Sequence, residues 1–136
     1  MSTTITDSIR AWARGAYSLE AGVELLIRTK LAGIARREGA DGWYVDADKL
    51  LDDAGPWSGG EKRIARIAAS LLGGERTDLG EDLAGLDREQ VDLVLAAIAH
   101  AAGSHEHRNW PYDGQGRRTG NSDLKGSLHP WPENSK

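Results

Sequence analysis

His105-Glu106-His107, with His100 five positions earlier, sets three imidazoles and a carboxylate close together in a 136-residue chain. Those side chains at that density suit zinc or nickel. The spacing is not His-Glu-x-x-His, and no cysteine or distant histidine pair completes a cage. His105 and His107 also follow the end of an apolar helical run, where positive charge is favourable without any metal. His129 stands alone near the C-terminus. Carboxylates crowd at Asp46, Asp48, Asp52 and Asp53, and again at Glu81 and Asp82. The first group lacks the central glycine and terminal glutamate of a calcium loop. No Gly-x-Ser-x-Gly elbow occurs, and there is no cysteine to act as a nucleophile. No catalytic residue set, cofactor or metal is therefore expected. A small metal-dependent enzyme using His100, His105 and His107 is kept as one alternative.

Ser58-Gly59-Gly60-Glu61 opens a basic, alanine-rich stretch. It resembles the signature loop of ATP-binding-cassette ATPases, where a Ser-Gly-Gly turn at a helix N-terminus contacts phosphate. Free backbone N–H groups and the helix dipole give that contact its physics. The other parts are missing, since no GxxxxGK[ST] loop occurs and no apolar strand ending in Asp follows. The plainer reading is a helix start with a Ser58–Glu61 capping box. Lys62, Arg63 and Arg66 on the same helix, residues 60–72, suggest a nucleic-acid-binding regulator. Residues 47–53 would be the first helix of a helix-turn-helix, but the connection from Ala54 to Gly60 is long for that motif.

Charge weighs against that regulator. Residues 108–136 carry five Lys/Arg against three Asp/Glu, while residues 1–107 carry twelve against eighteen. An acidic body repels phosphate backbones, so nucleic acid is not the expected partner. Hydrophobic residues at 39% and charged residues at 28% fit one folded domain rather than a disordered chain. Met1 to Asp7 is polar with no apolar segment after it, so no secretory leader is expected. No run approaches the roughly 20 apolar residues of a membrane span. A cysteine-free chain fits a reducing cytoplasm.

The elements that must position these residues are helical. Thr4 caps a helix over Ile5 to Ala16, with Ile5, Ile9, Trp12 and Ala16 on one face. Ser18 caps a second, on which Leu19, Val23, Leu26, Ile27, Leu31 and Ile34 fall at helical spacing. Arg36 and Arg37 suit its negative end, and Gly39 stops it. Gly42 to Val45 reads as a brief extended piece, and Ala47 to Asp53 as a short helix ended by Gly55-Pro56. The helix opened by Ser58 presents Ile64, Ile67, Ala68 and Leu71. Asp78 with Glu81, then Asp87 with Gln90, repeat the capping spacing. Residues 87–103 are apolar on nearly every side, which predicts a central spine with Leu95 and Ile98 among the least exposed residues. The fold class is all-α, a compact bundle of five or six helices over residues 1–107.

Residues 108–136 form a polar Gly/Pro/Arg-rich tail without periodicity. Trp110-Pro111-Tyr112 and His129-Pro130-Trp131-Pro132 flank Arg117 and Arg118. Trp, Tyr and Arg anchor interfaces, and proline lowers the entropy of ordering them. Trp110, Tyr112, Arg117, Arg118 and Trp131 are thus the expected partner-binding residues. Covering the protein's own bundle is the competing role, towards which the reading leans.

Arg outnumbers Lys 12 to 5, and Ala and Gly are plentiful, as in GC-rich bacterial or phage genes. The run from Trp12 through Ser58-Gly59-Gly60-Glu61 to Ala99-His100-Ala101-Ala102-Gly103-Ser104-His105-Glu106-His107 resembles small uncharacterised helical proteins of actinobacteria and their phages. That resemblance implies a helical domain in a mobile-element setting and carries no active site. The expected function is a non-enzymatic protein-binding module, a phage or mobile-element factor that acts on a host protein.

Overall fold

The computed structural model describes residues 4–31, 36–38 and 42–133. Among them six α-helices carry the fold, as the all-α reading expects. α1 (Ile5–Ala13) begins where the Thr4 hydroxyl accepts the Asp7 N–H at 3.0 Å. It stops short of Ala16 because the chain turns out through Gly15, which sits at φ +99°. α2 (Tyr17–Arg28) then starts from Ala16 with no side-chain cap, so Ser18 is inside the helix rather than at its end. Lys30 in the left-handed region (φ 65°) ends it, and the Leu31 N–H closes back on the Leu26 carbonyl at 2.8 Å.

The second helix is therefore shorter than its apolar spacing predicts. Leu31 is buried beyond its end, so the burial pattern continues after the helical geometry has stopped. Arg36 and Arg37 belong to β1 (Arg36–Glu38), not to a helix terminus; Ile34 and Gly39 lie outside the described residues. β1 pairs antiparallel with β2 (Gly42–Tyr44), with Arg37 opposite Trp43. This is the extended piece expected at that point.

Local capping chemistry sets the remaining starts. Asp46 accepts the Asp48 and Lys49 N–H groups to open α3 (Ala47–Asp53). Ser58 and Glu61 form a reciprocal capping box on α4 (Gly59–Leu71). Asp78 caps α5 (Leu79–Leu83), and Asp87 with Gln90 forms a second box on α6 (Arg88–Ala101). A 3-10 turn, Ser104–Glu106, leads into β3 (Arg108–Asn109), which pairs antiparallel with β4 (Asp123–Leu124).

The central element is α2, which packs against α1, α4 and α6. Its Leu25 and Leu26 are fully buried, among Ile9 of α1, Ile64 of α4 and Val94 of α6. Gly22 lets α4 come close, since a Cβ there would lie 2.9 Å from the Leu72 side chain.

The expectation that α6 is the spine is corrected. Leu95 and Ile98 are each 46% exposed, and Val91 is 36% exposed. α6 has two apolar faces, and the one it buries carries Leu93, Val94, Ala96 and Ala97. Small alanines allow α6 to lie close against α2, where dispersion contacts are dense. The bulkier face is left outward because the other helices gather around α2 instead.

One buried carboxylate holds α5 in place. Asp82 is 3% exposed, takes a hydrogen bond from the Thr77 hydroxyl, and pairs with Arg66 of α4 at 3.1 Å. Removing it strands a hydroxyl and leaves Arg66 without that partner. Asp82→Ala is expected to cost about 1–3 kcal/mol in the denaturant midpoint. An unchanged midpoint would mean that α5 is held by something else.

Candidate functional site

The packing of α2 against α6 brings Glu20, in the first turns of one, beside His100, in the last turn of the other. Glu20 Oε1 and His100 Nε2 are 2.8 Å apart. The carboxylate's second oxygen accepts the Gly15 N–H at 2.9 Å. Burial opposes the charge on Glu20; the Gly15 N–H and the His100 ring outweigh it, so its carboxyl sits below the usual range.

His105 reaches the same place by a tight turn. Gly103 is left-handed (φ +77°), and a Cβ there would lie 2.8 Å from the Tyr17 ring, so glycine is required on two counts. The buried Ser104 hydroxyl donates to the Ala99 carbonyl at 2.9 Å and accepts the Leu128 N–H at 3.1 Å. The turn thus stacks His105 on His100, with ring centroids 4.1 Å apart and planes 13° apart. Tyr17 meets both rings edge-on, and its hydroxyl donates to Glu106. That hydrogen bond, with some burial, raises the Tyr17 phenol above its usual range.

Of the three histidines read as a set, the fold unites two. Glu20, His100 and His105 each offer a ligand atom within 4.8 Å of the others, and His107 is not among them. His107 instead leads into β3, its carbonyl accepting the Lys125 N–H at 2.8 Å. The spacing of the histidines gave no hint of Glu20. Its place, one turn before Glu24 at the start of a helix with an apolar face, was the only available signal.

Beside this cluster lies a cleft of about 260 Å³, lined by Arg10, Arg14, Glu20, Glu24, His100 and Trp131. Arg10 makes a two-pronged contact to Glu24 at 2.9 and 3.0 Å, and Arg28 adds another at 2.8 Å. Burial works against the Glu24 charge, but the hydrogen bonds and charges of Arg10 and Arg28 together hold its carboxyl below the ordinary 4.5. A depressed folded value contributes stability that is complete above about pH 4.5 and is lost as pH falls through that lower value. Glu24→Gln should lower stability at pH 7 by roughly 1–2 kcal/mol and flatten the decline below about pH 4.5. A variant that declines with acid as steeply as the wild type would contradict this assignment.

The tail divides between two environments. The Arg28 guanidinium lies 5.2 Å from the Trp131 ring centroid and donates to the Pro132 carbonyl at 2.7 Å. Trp131 is half-buried and packs on the core. His129 meets Asp92 of α6 at 2.6 Å. Trp110 lies under Arg118, whose guanidinium is 4.2 Å from the ring centroid, and Tyr112 bridges to Arg118. Tyr112, Arg117 and Arg118 are exposed. The five tail residues therefore do not form one surface: Trp131 covers the bundle, and the other four decorate the hairpin between β3 and β4.

Two of the basic residues of α4 are engaged within the protein, though Arg66 stays about half exposed. Arg63 donates to the Glu81 carbonyl and Arg66 pairs with Asp82. In the Ser58–Glu61 turn the Ser58 hydroxyl accepts the Glu61 N–H at 3.3 Å, and Gly60 abuts the Gln90 side chain.

What remains open is the outer side of α6. Val91, Leu95 and Ile98 form a ridge at i, i+4, i+7 spacing. Between it and the returning tail runs a groove of about 670 Å³, lined by Arg88, Val91, Asp92, Leu95, His129 and Pro132. Comparison with protein-family models, with curated proteins and with solved structures returns no match for the chain.

Proposed function

We propose that the protein is a non-enzymatic binding module that docks an amphipathic helix of another protein along the outer face of α6. The observation that carries this reading is the exposed ridge of Val91, Leu95 and Ile98 along one helix; the other exposed aliphatics among the described residues, such as Leu79, Leu124 and Leu128, lie on a short helix or in the tail. A ridge at that spacing is the pattern that interlocks with the grooves of a second helix. The margins favour a helix with charges of both signs beside its seam, because Arg88 lies with Glu89 and Asp92 along the groove.

Burying three half-exposed aliphatics stabilises a complex by about 1 kcal/mol each. That scale fits a transient association rather than a permanent one. The tail supplies the second wall through His129 and Pro132.

The test compares the wild type with the double variant Leu95→Asp, Ile98→Asp after circular dichroism has verified its helices. A partner held by the wild type should be held at least tenfold more weakly by the variant, and the segment it contributes should be an amphipathic helix. Equal retention would remove the reading. A concentration-dependent self-association that the substitutions abolish would assign the face to a second copy instead.

A further inference from the structure

We infer that Glu20, His100 and His105 form a binding site for a divalent transition-metal ion of the zinc type. Two imidazoles and one carboxylate are a donor set that zinc accepts, with a fourth position left for water or a ligand. Their ligand atoms already lie within 4.8 Å of one another. Bonds of about 2.0–2.1 Å place tetrahedral donors about 3.3 Å apart, so Glu20 and His100, now 2.8 Å apart, have to part slightly while His105 closes in.

The surroundings fit the role. One Glu20 oxygen is held by the Gly15 N–H, and the other meets His100 Nε2 at 2.8 Å, a contact that an ion shared by the two groups would replace. His105 Nδ1 is buried and has no hydrogen-bond partner among the described residues, which is costly for an imidazole nitrogen unless something else satisfies it. The Gly103 turn and the Ser104 bonds to Ala99 and Leu128 fix His105 from behind. Glu20 and His100 also line the 260 Å³ cleft, through which a fourth ligand can reach the ion. Bound there, an ion ties α2, α6 and the Ser104–Glu106 turn at a single point. This inference is independent of the α6 docking face, which involves none of the three ligands.

The experiment titrates the untagged, metal-stripped full chain with Zn²⁺ by calorimetry and with Co²⁺ by visible absorption. One equivalent should bind with a dissociation constant below about 1 μM, with a tetrahedral Co²⁺ spectrum and a higher melting temperature. His105→Ala and Glu20→Gln should each weaken binding at least tenfold, while His107→Ala and His129→Ala leave it unchanged. His105→Ala is read alongside Glu20→Gln so that a folding defect in one does not decide the matter, and the melting curve without metal verifies each fold. Binding weaker than about 100 μM would overturn the assignment. So would an affinity that depends on His107 or His129 as much as on His105.

Discussion

Leu25→Ala is expected to lower stability by about 2–5 kcal/mol, whereas Leu95→Ala should cost less than about 1 kcal/mol. Leu25 is fully buried on the helix that three others surround, so its loss removes apolar contact and opens a cavity that neighbours fill only in part. Leu95 is 46% exposed, and water already covers much of the surface that truncation would release. Urea unfolding followed by circular dichroism measures both. If Leu95→Ala proves as costly as Leu25→Ala, then α6 rather than α2 lies at the centre, and the outward face assigned to it does not exist.

Ending the chain at Lys125 is expected to lower the melting temperature by roughly 5–10 °C, equivalent to about 2–3 kcal/mol. The truncation strips half-buried Trp131 from the core and removes its cation–π contact with Arg28. It also deletes the Leu128 N–H bond to Ser104, the His129 contact with Asp92 and the Pro132 carbonyl that Arg28 holds. Trp110→Ala serves as the comparison. Trp110 packs under Arg118, at the margin of the hairpin, and its loss should cost less than about 1 kcal/mol. Equal stability of the truncated and full-length chains would show that residues 126–133 do not cover the bundle.

Features set within one turn were readable from the chain alone. Thr4, Ser58, Asp78 and Asp87 cap the helices their spacing suggested, because such a cap is a contact between residues three positions apart; Ser18, expected to cap α2, lies inside it instead. Features set by packing were not. α6 carries two apolar faces, and nothing in its own periodicity says that the alanine side faces α2. The end of α2 depends on Lys30 taking a left-handed conformation that glycine more often supplies. Glu20 and His100 are 80 positions apart, so their meeting follows only from how two helices align. The aromatic tail was legible as an anchor, and Trp131 is one, but its pocket is the protein's own.

The docking face is tested most directly by placing a photo-crosslinking residue at Leu95, with the same residue at exposed Lys49 on α3 as reference. Illumination in a lysate of the source cells should join Leu95 to one protein through an amphipathic helix, at a yield well above that from Lys49. Equal yields at the two positions, or adducts at Leu95 only with a second copy of the chain, would contradict the proposed role.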